Sequence, residues 1–261
     1  MRRAVLLLGA LLAACAAPPP PEPPLSYPPS ARERMLRIAA AEWADWGRQT
    51  SEAPAGTESE SDPRNFPRVL AYWQAVPEGS GPIARNRALF RDGSPDLWRE
   101  PAWSAAFVSY VMRGAGIGAR EFPPSAAHAF YLDALIADAQ RFPATAPFLP
   151  YEVAERAPRV GDLVCADRSA APLASWRDRA AEAGRFRPMH CDIVVRVTAG
   201  AVEAIGGNVR DAVTLSRFAT DPSGRLLPRG PGQPTWFAVL ENRLGRLPPW
   251  FSPSRNEGPT S

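Results

Sequence analysis

The chain of 261 residues contains no lysine, only two histidines and only three cysteines. All 30 basic residues are therefore arginine, scattered rather than run together, as codon usage in a GC-rich genome produces. Two histidines and no Cys-x-x-Cys leave no ligand cluster at metal-binding spacing, so neither a metal nor another cofactor is expected. A formal charge of +3 offers no excess of cations to displace counterions from phosphates, which argues against nucleic acid as a partner. No apolar run reaches the about 20 residues that a membrane-spanning helix requires. The 45% hydrophobic and 22% charged content excludes a collagen-like, coiled-coil or wholly disordered chain, and the length suits one main domain, expected to be a monomer.

The first residues form a signal. Arg2 and Arg3 make a charged start, residues 4–12 an apolar stretch, and Ala13-Ala14 a small-residue cleavage site before Cys15. Residues 1–14 are thus expected to be removed, which leaves 28 basic against 27 acidic residues, a charge of +1. Leu12-Ala13-Ala14-Cys15 resembles the bacterial lipobox, which implies that Cys15 is lipidated; the alternative is an ordinary signal peptide with an incidental cysteine. Ala16 in place of an aspartate after the lipidated cysteine implies the outer membrane, facing the periplasm. Acyl chains such as palmitate would anchor it, each buried methylene contributing roughly 0.8 kcal/mol. Eight of the 31 prolines fall between Pro18 and Pro29, so residues 15–30 read as a stiff polyproline spacer of ~3.1 Å per residue. The same run could serve as an SH3-type ligand, but its place beside an anchor already accounts for it.

Beyond the spacer, Met35, Leu36, Ile38, Ala39, Trp43 and Trp46 recur at helical spacing before Gly47. Residues 50–65 are polar and read as a surface loop, 67–76 as a second short helix, and the stretch to Arg99 has no clear assignment. Its aromatic residues read as core anchors. The apolar run 105–112 predicts a buried helix that starts at Pro101 or Ser104 and ends at Gly114 or Gly116. Another helix is expected over 125–141. From there the period changes, and 161–166, 190–197, 201–205, 212–218 and 235–240 read as strands. The class expected is α+β, with N-terminal helices on an antiparallel sheet of about five strands. The folded domain is expected over 31–247, with 248–261 as a flexible tail.

Residues 103–112, Trp-Ser-Ala-Ala-Phe-Val-Ser-Tyr-Val-Met, resemble the nucleophile helix of CHAP and NlpC-type papain-like cell-wall hydrolases. Gly161-Asp162-Leu163-Val164 resembles the first strand of that superfamily, His190-Cys191-Asp192-Ile193-Val194-Val195 its histidine strand, and Ile205-Gly206-Gly207-Asn208-Val209 the element that follows. Over roughly residues 100–240 the arrangement most resembles bacterial lipoproteins carrying domain-of-unknown-function family 2272. The resemblance implies a papain-like fold. Position by position, it implies Ser104 in place of the nucleophilic cysteine, His190 as the imidazole and Asn208 as the group that orients it.

The chemistry of these positions departs from the family's pattern at Ser104. A helix N-terminus and an adjacent imidazole can hold a cysteine as thiolate, whereas a serine must lose its proton to a base during attack. Backbone N–H groups at the helix start can stabilise an oxyanion in either case. Each residue also has a structural reading: Ser104 as an N-cap, His190 as a hydrogen-bonded core histidine, Asn208 as a turn residue. Trp103, His128 and Asp192 are candidates for the same cleft, Asp192 as an alternative orienter; His128 also reads, with more weight, as a histidine that packs and hydrogen-bonds.

The resemblance also makes the strands of Cys165 and Cys191 neighbours, so a disulfide is expected in an oxidising exported compartment. The competing view, Cys191 as a displaced nucleophile, is opposed by strand alternation, which points it away from the face of His190. The function expected is cleavage of an amide or ester bond in peptidoglycan or another envelope polymer. The alternative is an inactive descendant that binds peptidoglycan or an envelope partner. The Arg-rich segment 169–188 reads as a solvated face.

Overall fold

The computed structural model describes residues 30–54 and 59–245. The signal, Cys15, the spacer and the expected tail lie outside these residues, apart from Ser30 at the spacer's end. Six α-helices and six strands follow in the order α1 (Ser30–Asp45), α2 (Phe66–Gln74), α3 (Ser80–Arg91), α4 (Ser104–Gly114), α5 (His128–Arg141), β1 (Phe148–Tyr151), β2 (Leu163–Asp167), α6 (Trp176–Ala181), β3 (Met189–Thr198), β4 (Ala201–Val209), β5 (Ala212–Ala219) and β6 (Thr235–Asn242). The strands form one antiparallel sheet, in the order β1-β6-β2-β3-β4-β5. The class is therefore α+β as expected, with six strands where about five were expected. The additional strand is β1 at the sheet edge, where Pro150 costs no central ladder bond. Among the described residues no helix is long and apolar enough to cross a membrane.

Strand alternation divides the apolar residues into two layers. Leu163, Cys165, Cys191, Ile193 and Ile205 join the helices in the main core, whereas Val164, Ala166, Val194, Val202, Ala204 and Val239 pack on the other face. Helix α4 occupies the centre of the first layer. Ala105, Ala106, Phe107, Val108, Val111 and Met112 are buried, because the helix is covered by α1 and α2 on one side and by β3 and β4 on the other. Opposite Cys165 in the β2–β3 register stands Cys191, with the Cα atoms 4.2 Å apart, and a disulfide joins the two.

Two segments differ from the sequence expectation. The stretch before Arg99 contains α3, whose mostly exposed residues leave little apolar periodicity to detect. In the Arg-rich segment, α6 does not present a fully solvated face. Arg179 is wholly buried and donates to both carboxylate oxygens of Asp133 at 2.7 and 2.6 Å, and to the carbonyls of Ala129 and Arg185. A charge can be buried there because it is paired and hydrogen-bonded.

Candidate functional site

Two helix starts meet at the site. Ser104 is the first residue of α4, after Trp103 in the capping position, whose own side chain makes no capping hydrogen bond. Its hydroxyl is used laterally: Oγ lies 2.7 Å from Nε2 of His128, the first residue of α5. Nδ1 of His128 meets the Tyr131 hydroxyl one turn later in the same helix. Burial, above all, then the positive fields of His190 and Arg168, hold the His128 imidazole well below its ordinary value, so the ring is neutral near pH 7. Burial likewise keeps the Tyr131 phenol protonated. Two tautomers fit these contacts. With the proton on Nδ1, the ring donates to Tyr131 and accepts the Ser104 proton at Nε2, the geometry of a general base.

His190 is placed differently from the sequence expectation. Its Nε2 bonds to Asp192 Oδ1 at 2.8 Å, two residues along the same strand face, while its ring centroid lies 5.3 Å from that of His128. The hydrogen-bond partner of His190 is therefore Asp192, and Asn208 bonds elsewhere. Nδ1 of His190 is buried with no hydrogen-bond partner among the described residues. Both side chains line a cavity of about 230 Å³ together with Arg168, Asn208, Phe218 and Arg229.

Asn208 holds the scaffold together. In a left-handed conformation (φ 57°), its Oδ1 accepts from the Trp103 N–H at 3.2 Å and its Nδ2 donates to Glu60 Oε2 at 2.8 Å. The same Glu60 oxygen accepts from Trp103 Nε1 at 2.6 Å. Asn208 thus ties the start of α4 to the end of β4. Glu60 lies in the segment expected to be a surface loop, yet it is buried, because its backbone N–H bonds to Asp211 O beside the β4–β5 turn. Burial raises its carboxyl to about 7, with Asp211 contributing, against the lowering effect of the Trp103 and Asn208 bonds. One of three glutamates in a polar stretch, beside Glu52 and Glu58, it carries no sequence signal for such a role.

The two glycines before Asn208 face opposite ways. A Cβ on Gly206 would lie 1.8 Å from Asp192 Oδ1 and 2.8 Å from His190 Nε2. A Cβ on Gly207 would lie 2.5 Å from Phe107 Cβ. One glycine leaves room for the His190–Asp192 pair and the other lets α4 approach the sheet.

Residues 60–242 match the family model described as "Uncharacterized protein conserved in bacteria (DUF2272)", and the chain belongs to that family. The match begins at Glu60 and ends at the last residue of β6. No curated protein and no solved structure matches the chain.

Proposed function

We propose that the chain is an envelope lipoprotein, anchored through Cys15 at the outer membrane, whose papain-like domain cleaves an amide or ester bond in peptidoglycan or another envelope polymer. The observation that carries this reading is the 2.7 Å contact between Ser104 Oγ and His128 Nε2 at a helix N-terminus. Ser104 attacks the carbonyl as its proton passes to His128 Nε2. The first N–H groups of α4, which have no acceptor within the helix, face the developing oxyanion. The leaving group takes a proton from the imidazolium, and water then releases the acyl group by the same route in reverse roles. His190, held by Asp192 on the cavity wall with its ring 5.3 Å from that of His128, is the second imidazole beside the reacting pair. Asn208 and Glu60 act through Trp103, by fixing the start of α4.

A second reading, binding of peptidoglycan or an envelope partner without turnover, draws on one observation: Ser104 is only 7% exposed. An electrophilic serine probe separates the two. Covalent labelling at Ser104 that disappears in His128→Gln supports the hydrolase; tight sacculus binding with no labelling supports the binding module.

A further inference from the structure

We infer that the cavity beside His190 contains a subsite for a carboxylate of the substrate, formed by Arg229 and Arg168. This rests on the hydrolase reading and adds to it a place for part of the substrate, in the cavity lined by His190 and Asp192.

Arg229 stands over two aromatic rings, its Cζ 5.3 Å from the centroid of Phe218 and 5.0 Å from that of Trp236. The rings fix the plane of the guanidinium and shield one face from water. Its hydrogen bond is to the neutral Gln233 Oε1 at 3.4 Å, and among the described residues no carboxylate forms an ion pair with it. Burial weakens its hold on the proton; Asp192 offsets part of that, and Arg168 adds to it. The charge is thus partly desolvated, with only the field of Asp192 and no directly paired carboxylate among the described residues to compensate, and an oxyanion entering the cavity would supply the missing partner.

Arg168 lines the same cavity, exposed and with no carboxylate partner among the described residues. Many other arginines are engaged: Arg179 with Asp133, Arg187 with Asp167, Arg217 with Glu203. Arg210, also on the wall, is held by the carbonyls of Ser51 and Ala53, so its charge is fixed in place. The anion on this wall is Asp192, already bonded to His190. Its presence disfavours a phosphate dianion and leaves a singly charged carboxylate as the better fit.

Calorimetric titration of the full chain at low salt with butyrate, and separately with inorganic phosphate, tests the subsite. Butyrate has no bond to hydrolyse, so the result does not depend on whether Ser104 reacts. Expected is one saturable site for butyrate, weakened about tenfold in Arg229→Gln and in Arg168→Gln and retained in Arg217→Gln. Arg168 is exposed, so its variant does not depend on repacking, and the melting temperature of Arg229→Gln checks that this variant folds. Absence of saturable binding, tighter binding of phosphate than of butyrate, or an affinity in either arginine variant equal to that of the unaltered chain would overturn the proposal.

Discussion

Ser104 Oγ and His128 Nε2 are 2.7 Å apart although 24 residues separate them, because α4 and α5 begin side by side. The partner of the hydroxyl is thus the histidine that starts the next helix, while the histidine on the strand is bonded to Asp192. Replacing His128 by Gln is expected to slow probe labelling of Ser104 by about 10²-fold or more. Since the imidazole is held well below 6.5, labelling by the unaltered chain should stay level as pH falls through 6.5 and fail only at lower pH. The labelling rate measured across pH checks this, and an inflection at or above 6.5 contradicts it.

Gly206→Ala and Gly207→Ala should differ in kind. The first drives a methyl group into the His190–Asp192 pair, so it should damage the site while the helices remain packed. The second pushes Phe107 and α4 off the sheet and should cost about 1–3 kcal/mol of stability. Denaturant unfolding together with probe labelling distinguishes them; equal loss of stability in both variants would contradict the opposite orientations.

The disulfide closes a separation of 26 residues, and its removal in Cys165→Ser with Cys191→Ser should cost about 3 kcal/mol. Peptide mapping without reductant should recover the two cysteines on one linked pair of peptides. Two free thiols in the oxidised protein would count against it.

Glu60 makes stability depend on pH in the direction opposite to that of an ion-paired carboxylate. Its carboxyl rises from 4.5 to about 7 in the folded chain, so the folded state binds more protons between these values. The contribution is fully present below 4.5 and is lost as pH rises through about 7. Relative to Glu60→Gln, the unaltered chain should therefore melt at progressively lower temperature over that interval. Parallel melting curves for the two proteins would show that Glu60 is not buried as described.

Much of this architecture was legible because apolar periodicity reports burial directly. The run 105–112 is the buried body of α4, and the strand expected over 201–205 is real but continues to Val209. Two glycines interrupt its pattern for packing reasons that only the tertiary structure supplies. β1 escaped notice because four residues containing a proline give no alternation, and α3 because its apolar residues do not keep one face. Ser104, His190, Asp192 and Asn208 are legible as candidates from their motifs, whereas His128 stands out only as the other histidine, on the helix after that of Ser104. What pairs with what was not legible: the contact of His128 with Ser104 depends on how α5 is set against α4, and the burial of Glu60 on its bond to the β4–β5 turn.

The most direct test is digestion of purified sacculi by the detergent-solubilised full chain, compared with Ser104→Ala and His128→Gln, with released fragments identified by mass spectrometry. The hydrolase reading requires fragments from the unaltered chain and none from either variant, and the fragment masses then identify the bond. Fragments released equally by Ser104→Ala would contradict a serine nucleophile at the start of α4.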